Sequence, residues 1–540
     1  MPPPVTPSDE EPIGTGGWQV LTMAKRLQYR RLLVLVLLLG AAFAGLGYRL
    51  VDLQVLRHEE LLGKAQNNTQ IEFPREPRRG DIRDASGNLL ATSVFVKTVC
   101  GNPSLLGSNQ VKVARTVATL LQLNETELIQ RLTPRITQNT NGLPVTNRYV
   151  VLKRNVPLET WAQVDAAMKQ LRFAPDEKKL SRAERRFYTD LRNGGIFADA
   201  TDEQMRVYPN EELAAHVLGY VAACDVTLEG KAMRELKGMD GIEKAFNSRL
   251  VGTRGWRVTE KEKGGGEVVT MRTQDVEPRD GLSVVLTIDS VLQHIVESAL
   301  AEAFEKHSPI SVTGIMMRPK TGEILAMATL PNFNPNNPGN NEAARRNRVI
   351  ADIVEPGSTF KIVAVSGALN EHVVTPRDII DCENGSFEFA GRRLHDAHGG
   401  HGLLTVENVI AKSSNIGAAK IGIRMGQDHL SDYMRDYGFG VSTGIQLPGE
   451  VRGIVHPVSK WSKVSIAQIP MGHGIAVTRL QMLMAMGAIA NKGVLMRPTI
   501  VNRFEDRHGL VVARGTPQQI RRVITEDTAR QMVEALKKVA

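Results

Sequence analysis

Hydrophobic and polar positions divide this chain into stretches of different period. From Leu32 to Tyr48 (LLVLVLLLGAAFAGLGY) no residue carries a charge. That run just meets the ~17 residues a helix needs to cross a bilayer. Arg31 and Arg49 bracket it and can reach the headgroups. A stretch apolar on every side, so near the N-terminus, does not read as a core helix. A cleaved signal peptide is the alternative, with Ala42-Phe43-Ala44 as a small-x-small cleavage site. Lys25, Arg26, Arg30 and Arg31 cluster ahead of the run, while Arg49, Arg57 and Lys64 are spread after it. The expected topology is a cytoplasmic tail over 1–31, a transmembrane helix over 32–50 and an exported remainder. Residues 1–24, rich in Pro, Asp, Glu and Gly, are expected to be disordered.

Beyond the span, Val51 to Lys64 continues a helical pattern. Residues 75–93 predict an extended segment entering a hairpin, with Ser86-Gly87-Asn88 as turn and Leu89-Leu90-Ala91 as return strand. Helical spacing recurs at Val111–Leu123 and Thr126–Leu132, and 261–267 is a Gly-rich interruption, a hairpin tip or a linker. A second region opens near Gly281. It predicts a strand over 282–289, a helix over 290–303, and two strands over 312–330 joined at Pro319-Lys320-Thr321-Gly322. Helices follow after Gly357, over Val406–Arg424, and from Thr525, where Met532, Val533, Leu536 and Val539 share a face. The pattern predicts an α+β chain whose last region has an antiparallel sheet with helices.

Composition narrows this little. The 540 residues predict two to four domains at roughly 100–200 residues each. Charged residues at 23% and hydrophobic ones at 42% exclude wholesale disorder. A net charge of +9 suits an anionic surface such as lipid and gives no reason to expect nucleic acid. Three cysteines, far apart, exclude a disulfide scaffold and a thiolate zinc site.

The chemistry is concentrated in Glu355-Pro-Gly-Ser358-Thr-Phe-Lys361. Ser358 is the only serine with lysine three residues on, a spacing that puts both on one helix face. A serine hydroxyl becomes a nucleophile when a base takes its proton. Lysine is such a base when burial keeps it neutral, and a helix N-terminus offers N–H groups to a developing oxyanion. Further on, Ala411-Lys-Ser413-Ser-Asn415 enters an apolar helical pattern. A hydroxyl there can relay a proton, and the Asn amide can hold a peptide carbonyl. His395, His398 and His401 sit in LHDAHGGHG, where Gly399-Gly400 breaks any helix. A polar loop near the cleft is expected there rather than a metal site. Cys382 has no recognisable base, and Arg345-Arg346-Asn347-Arg348 reads as a solvated face or loop anchor.

These motifs in this order resemble the penicillin-binding proteins and serine β-lactamases, whose signature is SxxK, SxN and a later KTG. The resemblance extends over most of the chain. Arg78-Arg-Gly-Asp-Ile-Arg-Asp84, Arg206-Val-Tyr-Pro209, His216-Val-Leu-Gly219 and Gly241-Ile-Glu243 resemble the non-catalytic pedestal of class B penicillin-binding proteins. Leu286-Thr-Ile-Asp289 with Gln293, Thr321 to Ala326, Gly444 to Gly449 and Gly472-His-Gly474 resemble their transpeptidase domain. Glu-Pro-Gly-Ser with a single anchor is most similar to the cell-division (FtsI-type) subgroup, elongation-type relatives being the nearest rivals. The resemblance implies a membrane anchor, a pedestal over 51–280 and a transpeptidase domain over 281–540. It implies a D,D-transpeptidase that joins D-Ala-D-Ala stem peptides of peptidoglycan and is acylated by β-lactams. Ser358 is then the nucleophile, Lys361 the base, Ser413 the proton relay and Asn415 a substrate contact. No metal or organic cofactor is implied. A SEDS-type (FtsW-like) glycosyltransferase and other divisome membrane proteins are the implied partners, at the bacterial inner membrane.

The third motif departs from the family pattern. The sole Lys-Thr-Gly, Lys320-Thr321-Gly322, lies ahead of Ser358 and reads as a hairpin turn. The chain is therefore expected to be C-terminally incomplete, with an unpaired sheet edge. A catalytically inactive scaffold and, more weakly, a β-lactamase-like hydrolase are the other readings.

Overall fold

The structure, a computed structural model, describes residues 16–138, 144–174, 176, 179–199, 203–228, 231–261, 267–268, 274–397 and 399–539. Residues 1–15 of the expected tail, 262–266 of the Gly-rich interruption, and His398 lie outside these. The chain divides into two units, residues 1–73 with 256–276, and residues 74–255 with 277–540.

In the first unit a helix α1 (Gly16–Val51) contains the whole apolar run. It starts within the stretch expected as a disordered tail, because extending a nucleated helix costs far less than starting one. Arg31–Leu56 is long and apolar enough to cross a membrane and is exposed along its length. A π-helical turn, Asp52–Leu56, separates α1 from α2 (His58–Thr69), where the pattern predicted one continuous helix.

The second unit is organised around an eight-stranded sheet. Its strands are β1 (Ile82–Arg83), β2 (Leu89–Gly101), β3 (Val150–Pro157), β4 (Ile196–Ala198), β5 (Glu203–Val207), β6 (Ser283–Leu286), β10 (Val501–Glu505) and β11 (Val511–Arg514), counting in chain order. Strand order is β11-β10-β6-β1-β2-β3, with β4 and β5 also on β2. Only β6–β1 is parallel. All four residues of β6 are buried, which explains the unbroken Val284-Val285-Leu286 run. Beside it, Gly80 has no room for a side chain, since a Cβ would meet the Leu282 carbonyl oxygen at 2.1 Å. The helices α3 (Gln110–Leu121) and α4 (Glu125–Leu132) match the predicted periodicity, and Leu121, Leu128 and Leu132 enter a core of their own with Val99 and Val156.

The Arg-Gly-Asp, Arg-Val-Tyr-Pro and Gly-Ile-Glu segments meet in a buried ion triad. Glu243, on the short helix α5 (Gly241–Ala245), accepts from Arg79 Nε at 2.7 Å and from Arg206 Nε at 2.6 Å. Its carboxylate is 0% exposed. Burial pushes its pKa up, but the two guanidiniums outweigh that and hold it below the usual carboxylate range.

After β6, Asp289 caps α6 (Ser290–His307) by accepting the N–H groups of Val291 and Leu292. Gln293 is buried and bonds both the N–H and the carbonyl of Met327. It thereby ties α6 to the antiparallel pair β7 (Val312–Arg318) and β8 (Glu323–Leu330). Lys320-Thr321-Gly322 is the turn of that hairpin, with Gly322 at φ +77°. Among the described residues β7 pairs with β8 alone. At the centre of the helical part stands α7 (Lys361–Asn370), buried from Lys361 to Leu369 and, apart from Lys361 and Ser366, without polar side chains in that stretch. Around it pack α8 (Val406–Ala411), α9 (Asn415–Met425) and α11 (Glu526–Leu536), the last capped by Thr525 as predicted. The single helix predicted over 406–424 is thus two. Ser413 at φ +58° turns the chain, and Ser414 starts α9 by accepting the Gly417 N–H.

Candidate active site

Ser358 lies in a 3₁₀ turn, Gly357–Phe360, that runs into α7. A loop of Gly472-His473-Gly474 braces this turn from outside. Glu355 accepts the Gly474 N–H at 3.0 Å, and the Gly357 N–H donates to the Gly472 carbonyl at 3.3 Å. A Cβ on Gly472 would meet the Gly357 carbonyl oxygen at 2.0 Å, so the approach needs glycine. The Ser358 N–H has no partner among the described residues and is free for an oxyanion.

Lys361 opens α7 and is 2% exposed. Its amine donates to Ser358 Oγ at 3.1 Å, to Ser413 Oγ at 3.0 Å and to the Ser413 carbonyl. Three acceptors use all three ammonium hydrogens. Burial pulls the amine down to a pKa of about 8, against the pull of the Asp396 charge. Loss of one proton leaves a lone pair among two hydroxyls, so the cluster can move a proton from Ser358 to Lys361 and on to Ser413.

The structure therefore brings Ser358, Lys361 and Ser413 into one hydrogen-bonded set. Asn415 stands beside them, its side-chain Nδ2 donating to the His395 carbonyl at 2.9 Å. His395 ends strand β9 (Arg392–His395), and Cys382 is buried. The residue that sequence reasoning missed is Asp396. It accepts the N–H groups of Asn415 at 2.6 Å and Ile416 at 3.1 Å, and the Ser414 hydroxyl donates to it at 3.1 Å. A carboxylate at the N-terminus of α9 also meets the positive end of that helix. It holds the turn on which Ser413 occupies a backbone region that costs a non-glycine residue about 1–3 kcal/mol. One lone Asp among three histidines offers no spacing by which to find it.

Asp396→Asn tests that hold. Losing charge-assisted bonds of ~1.5–3 kcal/mol would slow acylation at Ser358 by about ten- to a hundredfold in a folded protein. The pH midpoint of the rate should fall, since Asp396 raises the Lys361 pKa. An unchanged rate and midpoint in stopped-flow acylation would leave Asp396 a bystander.

Comparison with known proteins agrees with this geometry. Residues 312–540 match the penicillin binding protein transpeptidase domain, and residues 74–286 match the penicillin-binding protein dimerisation domain. This chain belongs to the penicillin-binding proteins. Stage V sporulation protein D of Bacillus subtilis is 29% identical over 515 residues, covering 94% of this penicillin-binding protein and 73% of the relative. Peptidoglycan D,D-transpeptidase FtsI of Escherichia coli K12 is 28% identical over 514 residues, covering 94% and 76%. A solved peptidoglycan synthetase from Bifidobacterium adolescentis superposes with TM-score 0.62 at 26% identity, covering 87% and 82%. Penicillin binding protein 2X of Streptococcus thermophilus superposes with TM-score 0.66 at 24% identity, covering 86% and 66%, a likeness of fold. All four candidate residues of this penicillin-binding protein fall inside the transpeptidase match. Its only Lys-Thr-Gly is the β7–β8 turn.

Proposed function

We propose that this penicillin-binding protein is a membrane-anchored serine D,D-transpeptidase of peptidoglycan. The observation that carries the reading is the Lys361 amine between Ser358 Oγ and Ser413 Oγ, at 3.1 and 3.0 Å, in a buried setting that lowers its pKa. Ser358 gives its proton to Lys361 as its oxygen attacks the penultimate D-Ala carbonyl of a stem peptide. The Ser358 N–H donates to the oxyanion. Ser413 passes a proton to the departing D-Ala amine, leaving an acyl ester on Ser358, while the Asn415 amide holds a stem carbonyl. A neighbouring stem amine then attacks the ester and gives up a proton along the same route, and Ser358 is restored. β-Lactams enter by the first half of this sequence and stay. The steps use the side chains of Ser358, Lys361, Ser413 and Asn415 and the Ser358 N–H.

In this reading the helix over 32–50 is a single-pass anchor in the bacterial inner membrane, with residues 1–31 cytoplasmic. The pedestal spans 51–280, and the catalytic domain, 281–540, is outside the cytoplasm. A septal role, with a SEDS-type FtsW-like glycosyltransferase and other divisome membrane proteins as partners, is supported by the likeness to FtsI and the Glu-Pro-Gly-Ser wording. The second reading is a membrane-anchored scaffold of the wall-synthesis machinery that does not turn over.

Fluorescent penicillin separates the two. The full chain should take a covalent label that Ser358→Ala abolishes. Because the base works as the neutral amine, the labelling rate should climb with pH and level off above about 8. At pH 7 only about one amine in ten is neutral. No Ser358-dependent band at any pH leaves the scaffold.

A further inference from the structure

The Arg345-Arg346-Asn347-Arg348 run, which catalysis does not use, borders a groove of about 510 Å³. Arg346, Arg452 and Arg479 line it, with Asp352 as the one carboxylate among the described residues of the lining. Both oxygens of Asp352 are taken, by Arg346 Nε at 2.6 Å and Arg348 Nη1 at 3.0 Å. Among the described residues Arg479 bonds only backbone, its Nη1 donating to the carbonyls of Arg348 and Asp352 at 3.4 and 3.2 Å. It is also the first residue of α10 (Arg479–Ala490), whose first turn holds no acidic residue. A cation there adds to the positive end of the helix instead of opposing it. The exposed Arg452 side chain has no hydrogen-bond or ion-pair partner among the described residues.

Three guanidiniums against one carboxylate leave the lining with two uncompensated positive charges. Keeping them together costs repulsion that an anion relieves. A carboxylate offers two oxygens, and Asp352 already spends both on two guanidiniums. A phosphate group presents more oxygens and can bridge several forks at once, and a pyrophosphate diester carries two negative charges, matching the excess. The remaining wall includes exposed Ile353 and Val354, and exposed Ile454 follows Gly453 in the chain. That apolar rim suits an anion carried on a hydrophobic chain.

We propose that the Arg346–Arg452–Arg479 groove binds a phosphate ester, most favourably a pyrophosphate, separate from the acyl site. Val354 lies in its wall, and only Glu355, Pro356 and Gly357 separate it along the chain from Ser358.

Calorimetric titration of the full chain in zwitterionic detergent with inorganic pyrophosphate tests this. Saturable binding is expected, weakening with salt, with succinate at equal ionic strength at least about tenfold weaker. Arg452→Ala, at an exposed side chain outside the catalytic set, should weaken binding about tenfold or more, and Arg452→Lys should restore part of it. Arg479→Gln should act likewise, and an unchanged thermal unfolding midpoint by circular dichroism shows that each variant is folded. Geranyl pyrophosphate below its micellar concentration identifies the source. Tighter binding than inorganic pyrophosphate assigns a lipid-borne phosphate, and equal binding assigns the phosphate alone. No saturable binding of either probe, or an Arg452→Ala variant that binds as well as the parent, overturns the proposal. Because labelling at Ser358 is read separately, failure of the transpeptidase reading leaves the groove to be judged by itself.

Discussion

Lys361→Ala in the full chain should slow penicillin acylation of Ser358 by about 10³-fold, within the 10²–10⁴ a positioned base supplies. The expectation rests on where the amine is. It reaches Ser358 Oγ and Ser413 Oγ together, and burial holds it near pKa 8, where a neutral form is available. Removing the amine leaves the hydroxyl with no base in reach, and it also removes the cation that the Ser413 carbonyl accepts from. The variant should still fold. Its first residue of α7 is helix-favouring alanine, and the apolar neighbours that bury the helix are untouched. What remains of the rate should lose its rise through pH 8. Rapid-quench labelling over a pH series reads both effects, and a variant as fast as the parent would dispose of lysine as the base.

The largest effect on stability is expected at Glu243. Glu243→Ala leaves Arg79 and Arg206 buried with no counter-charge, and breaking a buried pair in this way costs about 3–5 kcal/mol. Glu243→Gln keeps the volume and part of the hydrogen bonding, so it should cost less than alanine. The pH dependence has a definite sign. The folded-state pKa of Glu243 is below its unfolded value, so its stabilisation is complete above the ordinary carboxylate pKa. It is lost only as pH falls through the depressed folded value. Urea unfolding at neutral pH measures the loss as a shift in midpoint. A midpoint unmoved by alanine would mean that water or a rearranged neighbour replaces the carboxylate.

Much of the architecture can be read along the chain. The strand at Ser283–Leu286, the helix from Ser290, the hairpin at 312–330 and the capped helix from Thr525 all stand where period and caps place them. The failures are informative too. The Val406–Arg424 pattern is apolar at helical spacing throughout, yet it breaks at Ser413. Hydrophobic period reports which residues face the core. It is blind to a one-residue excursion to positive φ that a distant carboxylate stabilises. In the same way π-helical Asp52–Leu56 keeps a helical period while interrupting the helix.

Sequence alone determined the long apolar helix near the N-terminus, the order of elements, and the pairing of Ser358 with Lys361, because helix spacing and capping act over a few residues. It also limited Lys320-Thr321-Gly322 to a turn, since two apolar strands flank it. Only the tertiary structure decided that Ser413 shares the Lys361 amine, that Asp396 holds the turn beneath it, and that Arg346, Arg452 and Arg479 face one groove. Proton affinity and charge excess depend on what burial and folding bring within a few ångströms, and no local pattern encodes which remote residue arrives.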